Sequence, residues 1–191
     1  MRQITIITPG EPNSSSTITP IPLSSRGIAQ ATKLTTTLES SFDLALCLPV
    51  PCALQTAHII SDHTSGQIQE MADPNGVWKS IHGRAFLEAR RRLGDASLSE
   101  YFQAGAETCV KGVAYRYYRS ITQLIDTRDA RWTLIVADHI IVPALAMILA
   151  NHIPEKRFIE RTLRPCEGYR LTMKRDDSTR FTVEDIMLYE H

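Results

Sequence analysis

The sequence predicts an α/β fold, a three-layer sandwich in which a mostly parallel sheet carries helices on both faces. Three observations lead there. Strand-like segments alternate with segments of helical period along the chain. The run "RWTLIVAD" is apolar almost without interruption, as suits a strand buried on both faces. A length of 191 residues is enough for one domain with a full core and short for two, so 1–191 reads as a single domain.

Each element can be justified in turn. Gln3 to Thr8 alternates Ile and Thr and ends at Pro9-Gly10, a strand running into a sharp turn. The Ser-, Thr- and Pro-rich stretch after it is a loop, because periodic structure resumes at once. Ser24 or Ser25 is a suitable cap for a helix whose apolar positions Ile28, Ala31, Leu34 and Leu38 are expected on one side. "FDLALCL" is a short buried strand. "PVPCALQTAHIIS" is a second helix with Pro51 in its first turn, where a missing N–H costs nothing.

Residues 67–106 carry a "DPNG" turn signal, the mixed-charge stretch "EARRRLGD" and a short helix from Ser97, and are expected as an insertion or cap over the sheet. From Cys109 onward, Val110, Val113, Ala114, Tyr117, Ile121, Leu124 and Ile125 make one apolar helical stripe. "TLIVAD" follows as a strand, "IIVPALAMILA" as a helix, and "GYRLTM" and "RFTVEDIMLY" as two late strands joined by a polar turn.

Composition excludes several classes. Lys plus Arg and Asp plus Glu are 21 each, so no global field favours nucleic acid or an anionic membrane. No apolar run approaches a membrane span, and Met1-Arg2-Gln3 enters a strand without a leader pattern. Cys47, Cys52, Cys109 and Cys166 are scattered, which favours reduced thiols and a cytoplasmic setting. Cys52 and His58 lack metal-site spacing, so neither a metal nor a cofactor is expected.

In a parallel sheet the ligand sits at the carboxyl ends of the strands. Two ends therefore matter: Thr8-Pro9-Gly10-Glu11 and Ala137-Asp138-His139. Four stretches here resemble the histidine phosphatase superfamily, which includes the phosphoglycerate mutases. "ITIITPGEP" stands where that family has a strand followed by R-H-G-E-T. "PLSSRGIAQA" resembles P-L-T-x-x-G-x-x-Q-A, and "LPVPCALQTAHII" resembles S-P-L-x-R-A-x-Q-T-A. "TLIVADHIIVPAL" is similar to the late strand ending V-S-H-G-G-V-I. The resemblance implies a phosphoglycerate mutase-like fold.

It also implies a chemistry: a His nucleophile takes a phosphoryl group, two Arg and a second His hold its oxygens, and a carboxylic acid protonates the leaving group. Carried over by position, the first Arg falls on Thr8, the nucleophile on Pro9, the second Arg on Cys52 and the second His on Asp138. The acid corresponds to Glu70, ahead of Gly76 and Trp78, with Asp73 as the alternative; Ser80 replaces the family's Gly after the Trp. Pro9 has no titratable group and no N–H. A carboxylate at 138 repels a phosphate dianion, so the charge of the site is expected to reverse.

Each remaining group carries two readings. Asp138 is a helix cap or a functional carboxylate, roles that are compatible. Glu70 is a surface acid or a pocket acid. Cys52 is buried filler or, at a helix start, a thiol with thiolate character. His139, expected to line the pocket at a helix start, is a packed or solvated side chain or a catalytic one. Arg90, Arg91 and Arg92 are a solvated helix face, from which one can reach over the pocket and restore a cation.

Two function classes follow. One is a repurposed enzyme in which Asp138, Glu70 and Cys52 perform acid–base chemistry, such as dehydration, addition or cyclisation, on a neutral or cationic small molecule. Two carboxylates in one dry site cannot both ionise cheaply, so one would act as acid and the other as base. The other class is a pseudoenzyme that binds a ligand or a partner protein, with a homodimer compatible with either. A phosphatase with rearranged residues is the third reading.

Overall fold

The computed structural model describes residues 2–14, 21–38, 42–48, 51–61, 67–71, 76–151, 153, 155–173 and 181–186. The chain begins with β1 (Arg2–Ile7), α1 (Ser25–Thr37), β2 (Leu44–Cys47), α2 (Pro51–Ser61) and β3 (Gln67–Glu70). It continues through α3 (Ile81–Leu93), α4 (Leu98–Gln103), α5 (Glu107–Thr127), β4 (Trp132–Val136) and α6 (Ile141–Leu149). The last elements are α7 (Lys156–Ile159), β5 (Gly168–Met173) and β6 (Phe181–Ile186).

The strands form one sheet in the order β3-β2-β4-β1-β5-β6. β1, β2, β3 and β4 are mutually parallel, with Ile7 and Cys47 both opposite Val136 and Cys47 also opposite Glu70. β5 runs antiparallel to β1 and β6 antiparallel to β5, the late hairpin expected from the sequence. Its connecting turn lies outside the described residues. The sheet is therefore mostly parallel, with an antiparallel pair closing one side.

Alternate residues of the central strands feed two cores. Ile7, Ala45, Cys47, Leu134 and Val136 face α1 and α2, where Ala31, Leu34, Ala53, Ala57 and Ile60 meet them. Ile4, Ile6, Leu44, Leu46 and Ile135 face the α5 and α6 side, with Val113, Tyr117, Ile121, Val142 and Leu145. The three layers predicted for the chain are present. The apolar stripe of α5 is buried as expected, from Val110 to Ile125, with Leu124 packed against its edge.

Three local features differ from the sequence expectation. Ile28 is 49% exposed, not inward. Gly27 takes the inward place because α1 passes so close to the first loop that a Cβ there would collide with the Glu11 carbonyl oxygen. Gln67–Glu70, expected within an insertion, is instead the edge strand β3; its polar sequence hid it because an edge needs little apolar surface. α3 was read only as a mixed-charge stretch. Its signals were a Ser80 cap bonded to the Gly27-like position Gly83 and a stop at Gly94, whose φ is 58°. The short helix from Ser97 is present, with a full capping box to Glu100.

The β1–β5 seam holds the strand end that matters for function, and it depends on Gly168. A Cβ on Gly168 would collide with the Ile6 carbonyl oxygen and lie 2.8 Å from the Ile7 Cα. Gly168→Ala should therefore lower stability by about 1–3 kcal/mol, the usual range for overpacking. Gly76→Ala meets no neighbouring atom and should cost only the strain of its φ of 62°. Urea midpoints of the two variants measure the contrast.

Candidate functional site

The parallel strands end along one edge of the sheet. Beyond the last paired residues, Ala137 N donates to Ile7 O at 3.0 Å and Leu48 N to Val136 O at 3.0 Å. Met71 N donates to Cys47 O at 2.8 Å. Thr8, Ala137, Leu48 and Met71 thus form a row across four strands, and Pro9 and Asp138 leave adjacent strands about 5 Å apart. The two strand ends singled out in the sequence meet.

The first loop is laced to the structure through backbone groups. Thr8 N donates to Glu167 O at 2.9 Å, and Thr8 Oγ1 donates to Arg164 O at 2.6 Å. Cys166 N donates to Pro9 O at 3.1 Å. Gly10 N donates to Thr56 Oγ1 at 3.0 Å, while Thr56 Oγ1 donates to Cys52 O at 2.7 Å, tying the loop to α2. Glu11 N donates to the Gln30 side-chain oxygen at 3.0 Å, and its carboxylate lies 3.6 Å from Arg26. Thr8 is buried, and its hydroxyl is already committed.

Asp138 braces the turn into α6 and is also a charged group, though the N-cap of α6 itself is Ile140. Its Oδ1 accepts from Ile140 N at 2.9 Å, closing the turn before α6. Arg90 of α3 grips both oxygens, Nη1 to Oδ1 at 3.2 Å and Nη2 to Oδ2 at 3.0 Å. Such a fork holds a carboxylate in orientation as well as in charge. Arg90 Nη1 also lies 3.4 Å from His139 Nδ1, and Nη2 lies 3.5 Å from Asp95. The expected charge reversal is corrected here: the sequence placed a lone carboxylate at the strand end, and the structure supplies its counterion.

Of the three arginines from which the sequence expects either a solvated face or one cation over the site, Arg90 is the one that reaches the strand end. Arg91 does face solvent beside Glu88, and Arg92 donates to Ala104 O at 3.3 Å. Arg90 differs because it follows the buried Ala89 on a helix whose inward positions are Gly83, Phe86 and Ala89. That period was the available signal. Buried Tyr101, whose hydroxyl donates to Gly94 O at 2.9 Å, completes the surroundings. Burial pushes its phenol up, and Arg90 pulls it down.

Cys52 is buried in the first turn of α2. Of its two readings, buried filler and a thiol with thiolate character, burial favours the first. Burial raises its pKa, backbone N–H groups only partly oppose this, and the Asp138 carboxylate raises it further. Cys52 is therefore a thiol, and it lies within reach of the Asp138 field. Glu70 ends β3, two strands from β4, or roughly 10 Å by strand spacing. Its side chain and all of Asp73 lie outside the described residues. The described residues contain no group of three or more His, Cys, Asp or Glu placed to hold a metal. None of the described helices is long and apolar enough to cross a membrane.

Residues 13–185 match the histidine phosphatase superfamily, branch 1. The chain belongs to this superfamily. Among solved structures, mycobacterial glucosyl-3-phosphoglycerate phosphatase superposes with a TM-score of 0.63 at 16% identity, covering 97% of this chain and 98% of that one. The alpha-ribazole phosphatase of Shigella flexneri gives 0.63 at 18%, covering 96% and 95%. A phosphoserine phosphatase mutant of Entamoeba histolytica bound to phosphoserine gives 0.66 at 16%, covering 97% and 96%. Likeness at these identities establishes the shared fold. No curated protein sequence matches the chain.

Two measurements check this geometry. A double-mutant cycle of Arg90→Met and Asp138→Asn should give a coupling of about 1 kcal/mol, between the values for exposed and fully buried pairs. Alkylation of Cys52, followed by peptide mass spectrometry, should require a higher pH than an ordinary cysteine. In Asp138→Asn the required pH should fall, because the carboxylate contributes to the raised thiol pKa.

Proposed function

We propose that this superfamily member has given up phosphoryl transfer and uses its strand-end site to hold a small neutral or cationic molecule. The observation that carries the proposal is the Arg90–Asp138 fork beside Pro9. Family position puts the phosphoryl-accepting His on Pro9 and a phosphate-holding His on Asp138. Proline cannot be phosphorylated, and Arg90, the cation that reaches Asp138 among the described residues, already holds an internal carboxylate. A phosphate dianion would have to displace Asp138 from Arg90 and then sit beside it. A neutral molecule with hydrogen-bonding groups meets no such barrier.

Phosphatase chemistry with rearranged residues would call on Cys52 as nucleophile. Burial and the Asp138 charge both hold it as the thiol, the unreactive form. Losing nucleophile and clamps together removes most of the rate enhancement, because such groups act as a unit.

A second reading keeps an enzyme at the same place. Asp138, 20% exposed in its side chain, would exchange protons with a substrate, with Glu70 as its partner and Cys52 shaping the wall. What favours it is that Asp138, a partly exposed carboxylate at a strand end, lies close enough to Cys52 for its charge to raise that thiol's pKa. What favours binding alone is that the described polar groups there are already engaged: Thr8 by Arg164, and Asp138 by Arg90 and Ile140.

Hydrolysis of p-nitrophenyl phosphate tests the first claim. No turnover dependent on strand-end residues is expected, and vanadate should leave the amide resonances of Gly10 and Asp138 unmoved. Pro9→His should not create activity, since nothing would clamp the phosphoryl oxygens. Turnover abolished by Asp138→Asn would overturn the proposal. Once a ligand is found, Asp138→Asn separates the two readings: altered affinity alone means binding, and lost turnover with an unchanged melting temperature means acid–base chemistry.

A further inference from the structure

The outer face of α3 carries side chains that neither the sheet edge nor the core uses. Ile81, Ala85, Glu88 and Arg92 follow one another at spacings of four, three and four, so they share one side of the helix. Arg90 and Arg92 leave it on roughly opposite sides, because two residues turn a helix by about 200°. The side turned away from Asp138 borders a cleft of about 470 Å³, whose other wall is the turn from α4 into α5. That volume falls within the range of small-molecule sites.

The middle of the cleft is apolar and lined by small side chains. Ala85 and Ala89 come from α3, Ala104, Gly105 and Ala106 from the turn, and Cys109 from the first turn of α5. The Cys109 thiol donates to Ala106 O at 3.0 Å, and burial raises its pKa, so it presents an uncharged sulfur. Gly105, at a φ of 79°, leaves open space where a side chain would stand. Ile81 is 70% exposed, the most among the large apolar side chains described, and it marks one end of the lining. His82 packs its ring against Gly112, where a Cβ would collide with it, so α3 and α5 are already drawn together beside the cleft.

The charged groups are unequally engaged. Glu88 lies 3.3 Å from Arg91 and is matched by it. Arg92 donates to Ala104 O at 3.3 Å and forms no ion pair among the described residues. A guanidinium has five N–H donors, so most of those on Arg92 remain available to a ligand. The lining therefore ends in one cation, about 16 Å along the helix from Ile81. A singly charged group suits that end. A second negative charge would stand within a helical turn of Glu88 with nothing to balance it.

We propose that this cleft binds a small molecule with an apolar body and one carboxylate, the carboxylate on Arg92 and the body against the alanines and Ile81. Removing that apolar lining from water supplies affinity, and the planar guanidinium supplies orientation. The strand end takes no part in the contact, so this site stands apart from the reading of Pro9 and Asp138.

Isothermal titration of the full chain with octanoate tests the proposal, with acetate as the charge without the body and octanol as the body without the charge. Saturable octanoate binding is expected, with acetate inert, octanol about tenfold weaker and octanoate affinity falling as salt rises. Arg92→Gln should weaken octanoate about tenfold, and Arg92→Lys, which keeps the charge, should weaken it less. Ala85→Leu, which fills the cleft from an exposed helix position, should abolish binding at an unchanged melting temperature. Bound octanoate should slow alkylation of Cys109, read by peptide mass spectrometry, and leave that of Cys52 unchanged. Absence of saturation overturns the proposal. So does octanol binding as tightly as octanoate, an affinity unmoved by both Arg92→Gln and Ala85→Leu, or protection of Cys52 in place of Cys109.

Discussion

Asp138 stands two residues past the end of β4, where the chain leaves the sheet, and Arg90 reaches it from a helix that packs on α5. The fork between them joins the sheet edge to the outer layer of helices. The same carboxylate accepts from Ile140 N and so sets the turn into α6. One side chain thereby orients a loop, a helix start and the arginine of a separate layer. Its charge also reaches Cys52 across the strand ends and helps to keep that thiol protonated. Electrostatics at this edge are decided by an ion pair made within the chain, and a ligand has to be compatible with that pair before anything else.

What was legible in the sequence followed from periodicity and burial. The α5 stripe and the apolar β4 run specify their own partners, because a two-sided buried strand and a one-sided helix can be satisfied only by a covered sheet. Their order then placed the strand ends. What escaped were elements whose signals are polar. β3 reads QIQE and needs only backbone partners at an edge, so no apolar pattern marks it. The inward line of α1 was misjudged at Ile28, because close approach at Gly27 rotates the helix in a way that hydrophobicity does not encode. At the site, Pro9 and Asp138 were identifiable by position. Arg90 was not assignable, since its partner lies 48 residues away and three consecutive arginines look alike.

The first loop illustrates how a strand end keeps its shape without a reactive side chain. Cys166 adopts a φ of 62°, which costs a non-glycine residue roughly 1 kcal/mol. That turn brings Cys166 N to Pro9 O, while Glu167 O accepts from Thr8 N. The bonds involve backbone groups of residues 8 and 9, so they place few demands on the side chain at 9. Proline supplies the carbonyl they need. Thr8 goes further, giving its hydroxyl to Arg164 O and so closing the loop against the β5 side.

Backbone lacing and charge pairing act on different parts of the same edge, and together they bear on what the site can hold. The lacing holds Pro9 and Gly10 through their backbone groups, so the course of the strand end does not depend on the side chain at position 9. The pairing sets the charge of that end. A site built for a phosphoryl group needs several cations converging on one empty point. Here the described cation that reaches the strand end, Arg90, converges on a carboxylate belonging to the protein itself. Binding an anion at that point would require separating a partly buried, bidentate pair, and the Asp95 carboxylate 3.5 Å from Arg90 would itself repel the anion.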